Sequence, residues 1–256
     1  MSDREGDAVF KELFSLEGRR ALVTGASRGI GVTICRVLDA AGAQVVLVAR
    51  DAARLEQLAA ELRNDPVVLP ADLLHAEEAL RVAAEAGAVH VLVNNASLSE
   101  PTPAAEVTLE SWDRTLSLNL RSAFALTQAV APAMIDAGWG KVVNVASVMA
   151  FFGDAYAAAY AASKAGTLGL TRALAVEWAR AGVRVNALCP GWIDTDMVAV
   201  LRRDERFERR VLRSVPMNRW GTPDDLAGAV LFLSTRASDF MTGQALVVDG
   251  GLSASW

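Results

Sequence analysis

RALVTGASRGIG, residues 20–31, is the stretch on which the fold turns. Its first half is a short run of β-favouring apolar residues. Its second half sets Gly25, Gly29 and Gly31 in a turn that leads straight into a helix-length segment, IGVTICRVLDAAG. A strand that turns through glycines into a helix aims the free amide hydrogens of the helix N-terminus at the strand's C-terminal end, where backbone without Cβ atoms can approach a pyrophosphate. The spacing is GxxxGxG, not the GxGxxG of the general dinucleotide fingerprint, and a glycine-rich turn by itself is often only structural. The rest of the chain has to decide.

Six further runs share the composition of the first: QVVLVAR (44–50), PVVLP (66–70), VHVLVNNA (89–96), KVVNVAS (141–147), VRVNALCP (183–190) and QALVVDG (244–250). Continuous Val and Leu, in place of strict alternation, predicts strands buried on both faces. Ala- and Leu-rich segments such as DAARLEQLAAELR and AEEALRVAAEAG separate them. The pattern therefore predicts an α/β fold: a single-domain Rossmann-type doubly wound parallel sheet of about seven strands, with helices on both faces. Thr222, Pro223 and Asp225 read as N-cap, first-turn proline and capping-box acid of a late helix. The expected organisation is an N-terminal arm over 1–18 and one domain over 19–256, in which 192–217 forms a lid, with no linker or repeat.

At 256 residues, 52% hydrophobic and 21% charged, the chain can bury one large core. A formal charge of -5 gives no general attraction to nucleic acid or anionic membrane, so neither is expected as a partner. Cys35 and Cys189 lack metal-ligand spacing and read as buried small hydrophobes, and no metal is expected. The opening MSDREGDAVF is not a basic-then-apolar signal segment, and no apolar run approaches the ~20 residues of a membrane span. The expectation is a cytoplasmic protein.

If the glycine loop holds a dinucleotide, the end of the second strand selects it. An acid there takes the ribose hydroxyls of NAD, whereas a 2′-phosphate calls for arginine. This strand ends in Ala49 and Arg50, Asp51 is placed to cap the next helix, and Arg28 inside the loop adds a second cation. NADP, as NADPH when reduced, is favoured over NAD.

AYAASKAG, residues 159–166, sets Tyr160 and Lys164 one helical turn apart on one face. A phenol is a poor acid–base group at neutral pH, but a nearby ammonium favours the phenolate and draws its pKa toward the working range. Ser147 ends the strand KVVNVAS at the C-terminal edge of the sheet, where open α/β folds bind ligands. Tyr160 can then exchange a proton with a carbonyl or alcohol oxygen while Ser147 holds that oxygen.

Together these motifs resemble the short-chain dehydrogenase/reductase family in its classical form, over about residues 17–253. TGASRGIG, NNA at 94–96, Asn119, Ser147, Tyr160-x-x-x-Lys164, PGWIDTDM at 190–197 and DGG at 249–251 fall in family order. The resemblance implies a catalytic tetrad of Asn119, Ser147, Tyr160 and Lys164, with Lys164 also bonding the nicotinamide ribose and Asn119 supporting a water-linked proton path. It implies cofactor contacts from Gly25, Ser27, Arg28, Gly29, Ile30, Gly31 and Arg50, from Asp72 and Leu73 beside the adenine, and from Asn95 and Ala96 beside its ribose. Pro190, Gly191, Ile193 and Thr195 would meet the nicotinamide end. Two departures stand out: Ser97 replaces the glycine of the usual NNAG, and Val89-His90 replaces an acid. Asp72 has a competing role as a helix cap. Tyr156 reads as a pocket or interface aromatic, and His75 and His90 as structural.

Segments 97–107, 148–156 and 192–217 are expected to wall the substrate, through Ser97, Met149, Phe152, Trp192 and Met197. A ketone or secondary alcohol with some apolar bulk fits, and RRDERFERR reads as the solvated face of a lid helix. Gluconate-type sugar-acid dehydrogenases of the family, which would use NAD, and 3-oxoacyl-carrier-protein reductases are also similar. In the latter, arginines that dock the acidic carrier stand where this chain has Gly138 and Val176. A nucleotide-sensing regulatory protein on the same fold is the non-enzymatic alternative, and a sensor has no chemical need for a polarised phenol. The resemblance also implies a homo-oligomer, a tetramer, through the helices around 109–137 and 157–181.

Overall fold

Each of the seven runs forms a strand of one parallel sheet in the computed structural model, which describes residues 3–199 and 201–255. The strands are β1 (Arg20–Thr24), β2 (Gln44–Ala49), β3 (Val67–Pro70), β4 (Val91–Asn94), β5 (Gly140–Val145), β6 (Val183–Pro190) and β7 (Ala245–Val248). Their order is β3-β2-β1-β4-β5-β6-β7, so the chain winds outward from β1 in one direction and then returns to β1's other side at β4. That reversal opens a crevice at the C-terminal ends of β1 and β4.

The helices are α1 (Asp3–Phe14), α2 (Ile30–Ala40), α3 (Ala52–Ala59), α4 (Ala76–Ala86), α5 (Leu109–Leu116), α6 (Ser122–Asp136), α7 (Ala158–Trp178), α8 (Glu205–Ser214) and α9 (Ala227–Ser234). Successive strand residues point to opposite faces. Val23, Val45 and Leu47 pack with Ile34, Leu38 and Val230 of α2 and α9, whereas Leu22, Val46 and Val48 pack in the core that holds Val82, Leu126 and Leu174 of α4, α6 and α7. A sheet covered on both faces is why its sequence shows no alternation. Among the described residues no helix is long and apolar enough to cross a membrane.

The segment expected as an arm forms α1, and Glu12 pairs with Arg236 at 3.0 Å. The late capping box is present at Thr222 and Asp225, although its first turn, Pro223–Leu226, is a 3-10 turn ahead of α9.

Among the described strand residues, one buried side chain carries a charge. Lys141 of β5 is fully buried, and its ammonium reaches Asp239 at 2.8 Å and the Ser238 hydroxyl at 3.1 Å. Burial pushes its pKa down, while the Asp239 contact acts in the opposite direction. Asp239→Asn strips the ammonium of its charge partner, and we expect a loss of about 1–3 kcal/mol, seen as a lower Tm. Lys141→Met fills the volume without a charge and leaves Asp239 in water, so its Tm should stay near wild type.

Candidate active site

At the crevice the glycine loop is held by its neighbours. Thr24 Oγ1 accepts the backbone N–H groups of Asn95 and Ala96, each at 2.9 Å. The Asn95 amide nitrogen donates back to the carbonyls of Thr24 and Gly25, at 2.9 and 3.2 Å. Asn95 thus braces the end of β1 against the end of β4. Gly29 has a φ of 54°, and a Cβ on Gly31 would lie 2.1 Å from the Gly25 carbonyl oxygen, so both positions require glycine. Among the described residues no side chain caps α2, so the amides of Ile30 and Gly31 at its start are open to an anion.

Arg28 and Arg50 are exposed at this crevice, and neither has a carboxylate partner among the described residues. Asp51 caps α3 by accepting the Arg54 N–H at 3.1 Å. Asp72 does not cap α4, whose N-cap is His75; its carboxylate accepts the Leu74 N–H at 3.1 Å and holds the turn. Thr195 closes the crevice from the far side, 3.2 Å from where a Cβ on Gly29 would sit.

Ser147, two residues past Val145 at the end of β5, faces Tyr160 and Lys164 at the start of α7. Lys164 is buried, and its ammonium donates to the Val145 carbonyl at 2.8 Å and lies 5.5 Å from the centre of the Tyr160 ring. Burial lowers its pKa to about 8. The phenol of Tyr160 is instead pushed up to about 12 by burial, against which the Ser147 hydroxyl, hydrogen-bonded to it, acts. The downward pull of the lysine expected from sequence is outweighed here by burial: the ammonium donates to a carbonyl and lies over the ring. Cys189 lies against the same groups, its thiol raised to about 11 by burial.

Asn119 reaches this group through an irregularity that sequence periodicity does not reveal. It sits in a π-helical turn, Ser117–Arg121, that joins α5 to α6. Such turns are single-turn insertions found mostly at functional sites. Its carboxamide accepts the Leu98 N–H at 2.9 Å and donates to the Leu98 carbonyl at 2.9 Å and to Ser163 Oγ at 3.0 Å. Behind it runs a buried polar chain not anticipated from sequence: Asn94 donates to Asn144 at 2.8 Å and to Thr127 at 3.0 Å, and Asn144 donates to Thr171 at 2.9 Å. Asn94 and Asn144, set inside the valine runs VLVNN and KVVNV, were its available signal.

The expected substrate walls divide. Trp192 makes edge contacts with Phe207 and Trp220, with centroids 5.4 and 5.8 Å apart, and Phe152 packs against the same lid cluster around Val211 and Val215. Met149 is half-buried and Met197 is exposed. The Ser97 hydroxyl is buried and has no hydrogen-bond partner among the described residues. Arg210 of α8 ties the lid to Asp154 through two contacts, at 3.0 and 3.2 Å, so part of the basic run expected to be solvated carries an ion pair. Tyr156 has a φ of 65°, and its carbonyl accepts the Thr102 N–H, joining two of the walls.

The family profile described as Enoyl-(Acyl carrier protein) reductase matches residues 25–253. The chain is 38% identical over 251 residues to gluconate 5-dehydrogenase of Gluconobacter oxydans (strain 621H), covering 95% of this chain and 98% of that protein. It is 41% identical over 249 residues to galactitol 2-dehydrogenase (L-tagatose-forming) of Cereibacter sphaeroides, covering 94% and 98%. A crystal structure of a gluconate 5-dehydrogenase from Burkholderia cenocepacia J2315, in complex with NADP and tartrate, superposes with a TM-score of 0.91 at 36% identity, covering 96% of this chain and 99% of that one. With the tyrosine, lysine and serine gathered beside an uncapped glycine loop, and with similarity along nearly its whole length, the chain belongs to the classical short-chain dehydrogenase/reductase family.

Proposed function

We propose that the protein is an NADP(H)-dependent oxidoreductase that interconverts a ketone and a secondary alcohol, with Tyr160 as general acid and base. The observation that carries this reading is the grouping of Tyr160, Ser147 and Lys164 next to the uncapped N-terminus of α2. The glycine-loop amides from Gly25, Ser27, Gly29, Ile30 and Gly31 would take the diphosphate, Arg28 and Arg50 a 2′-phosphate, and the turn from Pro190 to Thr195 the nicotinamide end. The bound cofactor supplies or accepts the hydride. Ser147 holds the substrate oxygen, and Tyr160 delivers or removes its proton. Asn119, tied to the Leu98 backbone and Ser163, fixes the loop beside them. The names of the relatives favour a sugar acid or a polyol as substrate class. Two free buried cysteines agree with a cytoplasmic protein.

Tyr160→Phe removes the proton donor alone: kcat should fall roughly a hundredfold or more while NADPH binding is nearly unchanged. The phenol ionises high, so its protonated form dominates near neutrality. Reduction should therefore be near its maximum there, and oxidation should climb with pH until Lys164 loses its charge above about 8. Rate–pH profiles in both directions test this, and an oxidation rate that falls between neutral pH and that point would sink the role of Tyr160.

Cofactor choice follows from two unpaired guanidiniums. A charge-assisted arginine–phosphate contact contributes roughly 1.5–3 kcal/mol, so NADPH should bind about ten- to a hundredfold tighter than NADH. Ala49→Asp with Arg50→Ala should reverse the order, because the carboxylate holds ribose hydroxyls and repels phosphate. Fluorescence titrations with both cofactors measure it; equal affinities in the wild type would overturn the assignment.

We also infer a homotetramer, using the face where α5, α6 and α7 meet. A groove of about 550 Å³ lies there, lined in part by Leu116, Leu120, Phe124 and Leu170, with Phe124 40% exposed. Phe124→Glu should dissociate the assembly in light scattering; a monomeric wild type at micromolar concentration would refute it.

A further inference from the structure

The opposite edge of the sheet, where β1, β2 and β4 begin, carries a second open cleft of about 470 Å³. Arg19, Arg20, Gln44, Arg63, Asn64 and His90 line it. It is separated from the glycine loop by the length of β1, roughly 13 Å at about 3.3 Å per residue.

Its charge is unbalanced. Arg20 donates to the Gln44 side-chain oxygen at 2.9 Å and to the Ala86 carbonyl, and both acceptors are neutral. The Arg19 guanidinium lies over the Trp139 ring, 4.4 Å from its centre. Neither Arg19 nor Arg63 meets a carboxylate among the described residues. The buried acid nearby, Asp39, is occupied by the backbone amides of Arg63 and Asn64, both at 3.0 Å. Asp65 and, beside Gly42, Glu17 are the exposed carboxylates at the rim, two against three guanidiniums, and the Asp65 carbonyl accepts the Gln44 amide at 2.8 Å.

His90 adds a fixed donor. Its Nδ1 accepts the Arg20 N–H at 3.0 Å, which sets the neutral tautomer with a proton on Nε2. Burial, and then the charges of Arg19 and Arg20, hold the imidazole below the usual histidine range. The charged groups around the cleft are Glu17 and Arg19 before β1, Arg20 at its start, and Arg63 and Asp65 before β3. Lys141 on β5 is already paired with Asp239.

We propose that this cleft is a binding site for a small phosphate-bearing anion, held by Arg19, Arg20 and Arg63 with the His90 imidazole as a further donor. Guanidinium forks match tetrahedral oxyanions in pairs of hydrogen bonds, and the volume lies within the range of small-molecule sites.

The chain has two histidines, which makes His90 a reporter that imidazole NMR can resolve against His75. Inorganic pyrophosphate is the probe, added to the full chain with NADPH saturating the other edge. It should shift His90 saturably and raise its pKa by about half a unit or more, whereas sodium chloride of equal ionic strength should not. Arg63→Gln, an exposed change, should weaken the response, and Arg19→Gln with Arg63→Gln should abolish it while leaving turnover intact. Arg28→Gln should leave the response in place. Pyrophosphate should also raise the Tm of the wild type and not that of the double variant. A His90 unmoved by pyrophosphate, moved equally by chloride, or still responsive in the double variant overturns the proposal.

Discussion

A buried ammonium organises the reactive end of this molecule. Lys164 is 2% exposed, and its charge is tolerable there because the Val145 carbonyl accepts from it at 2.8 Å. Val145 and Ser147 lie two residues apart, so the carbonyl that anchors the lysine and the hydroxyl that bonds the phenol come from one short segment. Tyr160 sits one turn back on α7, above the ammonium. Desolvation dominates both side chains: it drives the lysine down and the tyrosine up. Burial thus favours the neutral form of both groups, the protonated phenol and the less basic amine.

The neighbouring elements keep this arrangement in register. The π-helical turn at Ser117–Arg121 lets one long helical passage serve two packing surfaces and turns Asn119 onto the Leu98 backbone. The asparagine and threonine chain from β4 through β5 to α6 and α7 does the same under the sheet, since each buried amide is satisfied only when strand and helix are in position. Thr24 and Asn95 bind the two strand ends at the crevice, and Asp249 accepts the backbone N–H groups of Gly251 and Ser253 beyond β7.

The two edges of the sheet differ in kind. The C-terminal edge gathers hydroxyls, a phenol and open helix amides, groups that move protons or meet phosphate. The N-terminal edge gathers guanidiniums whose partners are carbonyls, an amide and an aromatic ring, so their charge stays uncompensated. Parallel strands make such a separation natural, because every strand starts at one edge and ends at the other.

Sequence alone determined the seven strands, their parallel arrangement and the glycine loop, because burial on both faces writes itself as unbroken Val and Leu and because the steric need for Gly29 and Gly31 is local. It also placed Tyr160 over Lys164, since helical spacing puts them on one face. What it did not determine depended on distant segments meeting. The lysine was expected to act on the phenol, but the carbonyl that claims it comes from Val145, nineteen residues earlier. Trp192 and Phe152 were expected to face a substrate; that they also pack with Phe207, Val211 and Trp220 was not legible from spacing. Asp72, read as an adenine neighbour with capping as a competing role, holds its own turn and does not cap α4. The cleft at the N-terminal edge draws on residues from Arg19 to His90 that share no motif. Spacing along a chain fixes which side chains share a face; which partner desolvates, pairs or covers them is set by tertiary packing.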